Sequence, residues 1–537
     1  MLKKKMIGLI SSVLTSMILC SSVTVFASES VNITGTYNIV VEGFDWGPGV
    51  TKAIITLDSE VSDVTKDMFN VQEVKNWFGG VQSFDRTVIN AYSSDEEGTR
   101  IENDSKYITI ELGVNPDEGN PFLYNIESGF NTWANPYSLN ITLAEGAKLK
   151  VGDNTVNELK INSEYIKRET PTIDKFKEEV YYAEGDISMK YAHYEPEIDD
   201  NKNPLIIWLH GAGEGGSDTT INTLGNKVGA LIAEDIQSQF GGAYVLVPQS
   251  PTMWMDMGDS NYTTNGSTIY LDSVMNLIEN YVDMNEDIDT NKIYIGGCSN
   301  GGFMTMALIL ENPEYFAAAY PICEAFNDSW ITEDKLEGIK DLPIWFTYAM
   351  NDLVVNPLGT SVATVNRLKN INAKDVKVSA FDNVVDTSGL YKDEEGNPYE
   401  YNGHWSWIYA FNDESKDGEE SLWSWLAKQE KESVVDEPID KPDDNNNPQE
   451  PDNDTSEDTG NKVDNDINIG NDTAADTDNK VDNDTNVVKD TITDKGNSNT
   501  INKVNKLPNT GAQLASTAFV LIGAISIIAG SKMSFKK

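Results

Sequence analysis

The feature that most constrains the fold is a glycine-rich segment between a short apolar run and a helical one. Residues 292–295 (KIYI) form the apolar run, GGCSNGG follows at 296–302, and residues 303–310 have helical character. Gly297, Ser299 and Gly301 make a G-x-S-x-G pattern at a strand-to-helix turn, where glycines are needed because a Cβ would collide with neighbouring backbone. This setting predicts a mostly parallel sheet with Ser299 exposed at the end of a strand as a candidate nucleophile.

The region around this turn, residues 170–429, alternates apolar strands with longer helical segments. Near-continuous apolar strands separated by helices indicate a parallel sheet that is covered on both faces. The residues preceding the first of these strands, 180–194, are expected to form a hairpin leading into the sheet. The predicted strands are 204–209, 244–247, 292–295, 317–321, 343–348 and 376–381.

The preceding region, residues 31–167, has a different sequence pattern. Short β-rich runs at 37–41, 52–57, 107–112 and 138–143 are separated by Gly, Asn and Asp clusters, without helical periodicity. Such spacing favours an all-β sandwich. No catalytic constellation is visible in it, and its aromatic and charged residues are interpreted as packing and surface residues.

A nucleophilic serine needs a base and an acid. The chain has 3 histidines, and His404 is the one that follows Ser299, as the order Ser, acid, His of α/β-hydrolases requires. Asp352 follows the predicted strand 343–348, so we expect it to orient His404. The rival acids are Asp382, Asp386 and Glu324; topology favours Asp352.

Backbone donors and a pocket should surround these groups. The main-chain N–H groups of Asn300 and Ala212 are predicted to form an oxyanion hole, with Gly211 as the second choice for Ala212. Loops after strand ends build α/β active sites, so aromatic side chains on them are expected to line a substrate pocket. The residues proposed for this lining are Trp254 and Trp405, together with Met253, Met255 and Trp407. For Met255 and Trp407 the alternative is packing in the core, which is favoured for Trp407.

These motifs together resemble a known group. The catalytic region resembles α/β-hydrolase esterases of the polyhydroxybutyrate-depolymerase and feruloyl-esterase-like, or prolyl-oligopeptidase-like, group. The resemblance is carried by the segments HGAGEGG (210–216) and GCSNGG (297–302), by Asp352, by His404-x-Ser-Trp and by the closing Trp-Leu pair at 425–426. The segment GFDWGPG (43–49) resembles the Ig-like domain that precedes some bacterial esterases. The resemblance implies a serine esterase without cofactor or metal. Trp405 departs from the group, which often has a small or acidic residue there.

Both ends of the chain are interpreted as targeting signals. Residues 1–27 have the basic start, short apolar run and small-residue end of a secretory signal peptide. Residues 507–537 begin with LPNTG, continue with an apolar run and end in lysines, which resembles the sorting signal that a sortase cleaves between Thr510 and Gly511. Residues 431–506 are acidic and lack aromatic residues, so they are expected to be a disordered spacer. The predicted mature protein is secreted, joined covalently to peptidoglycan, and without a permanent membrane span.

The remaining expectations concern partners and alternatives. The net charge of −46 argues against nucleic acid as a partner. After signal removal two cysteines remain, Cys298 and Cys323, and whether they pair is left open. An ester substrate, polymeric or aryl, is expected; a serine peptidase and a non-catalytic surface adhesin on the same fold are the alternatives.

Overall fold

The computed structural model describes residues 33–182, 187–197 and 199–431. The predicted signal peptide, the acidic spacer after Lys431 and the sorting signal lie outside the described residues. All described residues belong to one compact unit. Among the described residues, no helix combines the length and apolar character needed to cross a bilayer.

The first region is a β-sandwich, as its sequence pattern predicts. One sheet has the strand order β12-β1-β2-β6-β5, with β13 also on β1, and a second has the order β4-β3-β9. Two short hairpins, β7-β8 and β10-β11, extend from them. The strands are β1 (Ile33–Phe44), β2 (Gly47–Val61), β3 (Phe69–Trp77), β4 (Gly80–Arg86), β5 (Val88–Ser94), β6 (Ser105–Leu112), β7 (Phe122–Asn125), β8 (Phe130–Trp133), β9 (Tyr137–Leu143), β10 (Leu149–Val151), β11 (Asn154–Val156), β12 (Leu159–Ile161) and β13 (Arg168–Glu169).

The second region is an α/β domain built on a sheet of order β14-β15-β17-β16-β18-β19-β20-β21. The strands from β17 to β21 in this order are parallel, and the predicted hairpin forms the antiparallel edge. The strands are β14 (Lys177–Tyr182), β15 (Ser188–Tyr194), β16 (Asn203–Leu209), β17 (Tyr244–Gln249), β18 (Ile288–Cys298), β19 (Ala318–Ile322), β20 (Ile344–Ala349) and β21 (Val376–Phe381), followed by the small ribbon β22 (Lys416–Asp417) and β23 (Glu420–Ser421).

Helices cover both faces of this sheet. Strand β16 is buried along its whole length, as expected for a central parallel strand. Helix α3 turns Val274, Leu277, Ile278 and Tyr281 inward, the i, i+3, i+4, i+7 spacing of an amphipathic helix. The helices are α1 (Thr219–Gly225), α2 (Glu234–Phe240), α3 (Leu271–Met284), α4 (Asn300–Glu311), α5 (Glu333–Gly338), α6 (Ser361–Asn370), α7 (Trp407–Phe411) and α8 (Leu422–Leu426).

The two regions share an apolar interface. Ile221 and Leu224 of α1 are buried in the same hydrophobic cluster as the strands of the sandwich, together with Tyr37 and Ile39. An ion pair between Lys227 and Asp45 (2.8 Å) adds a polar contact across the interface. The sandwich is therefore packed against the α/β domain just beyond the carboxyl end of β16, close to the predicted catalytic residues.

Candidate active site

Ser299 stands at a strained turn between β18 and α4. Its φ of 55° is rare for a residue with a side chain, and it is the residue immediately before the helix. A Cβ on Gly297 or Gly301 would overlap the carbonyl oxygen of Leu209 in β16, which explains both glycines. Helix α4 begins at Asn300, three residues earlier than the sequence pattern indicated, because the glycines at 301 and 302 are accommodated within its first turn.

His404 and Asp352 meet although 52 residues separate them in the chain. The Nδ1 atom of His404 lies 2.7 Å from Oδ2 of Asp352, and both side chains are buried. The other oxygen, Oδ1, accepts the main-chain N–H groups of Val354 (2.8 Å) and Val355 (2.9 Å). These bonds hold the carboxylate as an acceptor for Nδ1–H, which leaves Nε2 of His404 able to accept a proton.

The rival acids occupy other positions. Glu324 is fully buried, accepts the Phe326 N–H (2.6 Å) and the Ser361 hydroxyl (3.0 Å), and burial raises its pKa well above the usual carboxyl value. Asp386 accepts the Gly389 N–H at 2.8 Å, and Asp382 is exposed. Of the four candidate acids, Asp352 is the one with a hydrogen bond to His404.

A cavity of about 1130 Å³ joins the predicted residues. Ser299, Asn300, Ala212, His404 and Trp405 all line it. Asn300 is the first residue of α4, and Ala212 begins a 3-10 helix, Ala212–Glu214, that is separated from the end of β16 by two residues. Both main-chain N–H groups therefore belong to the first turn of a helix, where they have no intrahelical partner.

Trp254 does not belong to this lining, so its assignment to the substrate pocket is wrong. Its side chain is fully buried, and its indole N–H donates to the His210 carbonyl at 3.1 Å. The Trp254 ring packs edge-on against Tyr270 in the core. Met255 and Trp407 do line the cavity. Met253 does not line the cavity either, so of the three residues at 253–255 Met255 is the one that does.

His210 braces the glycine-rich loop. It is fully buried, lies 2.6 Å from the Gly211 carbonyl through Nδ1, and accepts the Ser250 N–H (3.0 Å) at Nε2. Burial lowers its pKa to about 4, so it stays neutral, as these two contacts require. The cysteines next to the site, Cys298 and Cys323, are free and buried.

The sandwich provides a wall of the cavity that the sequence did not reveal. Residues of β3, β4, β7 and β8 line the same cavity as Ser299. Glu73 forms a buried bridge between Lys75 (2.6 Å) and Arg86 (3.3 Å). Alternation along a strand marks these residues only as one face of a sheet, so no local pattern could have assigned them to a site. Within the described residues, no group of three or more His, Cys, Asp or Glu side chains is arranged to hold a metal ion.

Comparisons with known proteins agree with this architecture. Residues 36–156 match the family model described as esterase Ig-like N-terminal domain, and residues 196–387 match the model described as phospholipase/carboxylesterase. A solved structure of a thermostable esterase is 26% identical, with a TM-score of 0.60, over 74% of this chain and 99% of that one. The chain is a serine ester hydrolase. Its Ig-like domain is the β-sandwich, and its catalytic domain has the α/β-hydrolase fold.

Two more distant solved structures also match parts of the chain. An esterase from Butyrivibrio proteoclasticus is 16% identical, with a TM-score of 0.27, over 38% of this chain and 88% of that one. An acylaminoacyl peptidase from Pyrococcus horikoshii is 15% identical, with a TM-score of 0.33, over 70% of this chain and 57% of that one. Among curated proteins, none matches this sequence.

Proposed function

We propose that this ester hydrolase works through a Ser299–His404–Asp352 triad and an acyl-enzyme. The observation that carries the proposal is the hydrogen bond between His404 and Asp352 at the cavity that also contains Ser299. The strained φ of Ser299 supports it, because strain of this kind is maintained where a nucleophile must be presented.

The proposed chemistry proceeds in two steps. The Ser299 Oγ attacks the acyl carbon while Nε2 of His404 takes its proton, and the N–H groups of Asn300 and Ala212 stabilise the oxyanion. The C–O bond to the alcohol then breaks, and the alcohol leaves with the proton from His404. A water molecule, deprotonated by His404, attacks the acyl-enzyme in the same way, and the acid and free Ser299 result.

The substrate is proposed to be an ester with a large alcohol or acyl group. The cavity of about 1130 Å³ exceeds what a short-chain ester fills. Trp405 and Trp407 on the catalytic domain, and Trp77 and Phe84 on the Ig-like domain, give it ring surfaces on both walls. These features favour a polymeric or aryl ester over a small aliphatic one.

A substrate panel tests this part of the proposal. Short-chain, aryl and polymeric esters are hydrolysed beside peptide amides of matched acyl group, with the wild type and Ser299→Ala in parallel. The expected result is turnover of esters, highest for the bulky ones, that is absent in Ser299→Ala. Faster hydrolysis of the amides would identify a peptidase instead. Ester turnover that persists in Ser299→Ala would show that another residue is the nucleophile.

We further propose that the enzyme is exported and joined to peptidoglycan through Thr510 by a sortase. The support is the order of signals in the sequence: the segment 1–27, the acidic segment 431–506 and the LPNTG motif at 507–511. Cell fractionation tests it. Release of the protein by muralytic digestion, with loss of this release in Thr510→Ala, is expected. Extraction by detergent alone would indicate a membrane-anchored protein.

A further inference from the structure

The glycine-rich loop carries a buried acid that the proposed triad does not use. Glu214 is the last residue of the 3-10 helix Ala212–Glu214, is 5% exposed, and lines the cavity together with Ser299 and His404. A buried carboxyl group lowers the stability of the folded protein unless it is hydrogen-bonded. Burial raises its pKa to about 7, and a hydrogen bond from Asn131 opposes that shift.

The hydrogen bond to Glu214 comes from the Ig-like domain. The Nδ2 atom of Asn131, in β8, donates to Oε1 of Glu214 at 2.9 Å. On the other side, the side-chain amide of Gln249 donates to the main-chain carbonyl of Glu214 at 2.8 Å. The loop that carries Ala212 is therefore fixed from one side by its own domain and from the other by the sandwich.

The glycines of the loop leave the space that this contact needs. A Cβ on Gly213 would lie 3.0 Å from Nδ2 of Asn131, and one on Gly211 would lie 3.0 Å from Oε2 of Glu214. A Cβ on Gly225, at the end of α1, would lie 2.7 Å from Cγ of Glu214. Each added methyl group would displace Glu214 or Asn131. Gly211, Gly213 and Gly225 thus leave room for the contact between Asn131 and Glu214.

We propose that Glu214 is a positioning residue of the reaction: its carboxylate, held by Asn131, fixes the loop that presents the Ala212 N–H and attracts the imidazolium that forms on His404. This inference rests on the proposed triad and adds to it a residue whose alignment depends on the Ig-like domain. The attraction is one of the interactions that stabilise the ionised form of Glu214.

The titratable groups that interact with Glu214 come from three other elements. They are His404, Tyr124 of β7 and Cys298 at the end of β18. Burial, and to a smaller extent the Glu214 charge, raises the pKa of the Tyr124 hydroxyl and of the Cys298 thiol. Both are therefore uncharged at neutral pH.

The geometric part of the inference is tested by kcat on a small soluble ester. Glu214→Ala and Asn131→Ala should each lower kcat, roughly 100-fold for Glu214→Ala, with little change in KM, because a misplaced donor weakens transition-state binding. Glu214→Gln should recover most of kcat, since the amide keeps the size and the acceptor. The double variant should be no worse than Glu214→Ala alone, because the two residues act through one contact. Wild-type kcat in Glu214→Ala would overturn this part.

A matched control removes a similar contact away from the cavity. Asn412 also donates its side-chain amide to a carboxylate of the other domain, that of Asp45, at 3.0 Å. Asn412→Ala should lower the melting temperature without changing kcat. If Asn412→Ala and Asn131→Ala reduce kcat equally, the effect of Asn131 reflects general domain packing, and the proposed role is wrong.

The electrostatic part is tested by the pH profile of kcat/KM. As the pH falls through about 7, the Glu214 carboxylate of the wild type takes up a proton and loses its attraction for the imidazolium, whereas Glu214→Gln has no such charge to lose. The ratio of kcat/KM between the wild type and Glu214→Gln should therefore exceed one above that pH and approach one below it. A ratio that does not depend on pH is what a merely structural role predicts, and it would overturn this part.

Labelling with a fluorophosphonate distinguishes failure of this inference from failure of the triad. The reagent should modify the wild type at Ser299, and the Glu214→Ala variant at the same residue but more slowly. Labelling of Glu214→Ala at the wild-type rate would contradict the positioning role while leaving the nucleophile intact. A wild type that does not react would contradict the proposed nucleophile, and with it the reaction on which this inference rests.

Discussion

The two walls of the cavity differ in how the sequence encodes them. The catalytic wall comes from short local motifs, such as Gly297–Ser299–Gly301 at the end of one strand. The Ig-like wall comes from β3, β4, β7 and β8, strands whose residues share no motif and meet only through sheet pairing. Chemistry that needs a strained backbone leaves a local signature in sequence, whereas a wall made of ordinary strands does not.

The walls also differ in how they treat buried charge. On the Ig-like wall Glu73, Lys75 and Arg86 form a closed ionic group, and burial lowers the pKa of Lys75. On the catalytic side His210, which is buried next to the wall, is kept neutral by burial, and Glu214 in the wall is left near the midpoint of its titration at pH 7. The first wall is therefore expected to contribute stability and shape, and the second reactivity.

The largest effect is expected at the catalytic wall. Ser299→Ala or His404→Ala should lower kcat for esters by a factor on the order of 10⁴–10⁶, because each removes a group that acts in the proton transfer. The melting temperature should change little. Steady-state kinetics on a small ester, checked by circular dichroism, measures both. Turnover within tenfold of the wild type in either variant would contradict the assignment.

The next effect concerns the acid. Asp352→Asn should lower kcat by about 10⁴, because the amide favours the wrong tautomer of His404 while leaving the packing intact. The matched control is Asp386→Asn, which changes another buried aspartate that has no hydrogen bond to His404. The control should keep wild-type kcat. If the control proves the more harmful of the two, Asp352 has been misassigned.

The third effect belongs to the Ig-like wall and should appear in stability. Arg86→Ala leaves Glu73 buried without one of its partners and frees the carbonyls of Val50 and Gly113. The free energy of unfolding should fall by about 3–5 kcal/mol. Lys150→Ala, which removes an exposed ion pair with Asp63, should change it by less than about 1 kcal/mol. Chemical denaturation measures the free energy of unfolding of both variants. An equal decrease in the two variants would contradict the structural role of the buried Glu73–Lys75–Arg86 group.

The smallest effect separates two tryptophans on the catalytic side. Trp405→Ala should change the relative rates among esters of different acyl length, because Trp405 lines the cavity. Trp254→Ala should instead reduce all rates together and lower stability by about 3–5 kcal/mol, since it empties a core position. The ratio of kcat/KM for a short and a long ester distinguishes them. A changed ratio in Trp254→Ala alone would reverse the two roles.

Much of the fold was predictable because its strands are long and strongly patterned. The predicted strands of the α/β sheet are found within one or two residues at most ends, although β18 begins at Ile288, four residues earlier than predicted. Three of the four residues added at the start of β18, Asp289, Thr290 and Asn291, are polar, so hydropathy did not mark them. The hairpin before the sheet and the sandwich are also as predicted.

The sequence could not predict the direction in which individual side chains point, nor contacts between residues that are far apart in the chain. The position of Trp254 in a loop after a strand end predicts a place in the pocket, but its ring is buried in the core instead. The contact between Asn131 and Glu214 joins residues 83 positions apart on different domains. No periodicity predicts such a pair, because it depends on how two finished domains dock.

Lys431 contacts the catalytic domain through both its main chain and its side chain. The Lys431 main-chain N–H donates to the Asn291 carbonyl, and its side chain donates to the Tyr315 carbonyl, both at 3.0 Å. Asn291 lies in the first half of β18 and Ser299 just after its other end, roughly 25 Å away at the rise of a strand. Lys431 is thus bound near the beginning of β18, at the opposite end of that strand from Ser299 and the cavity.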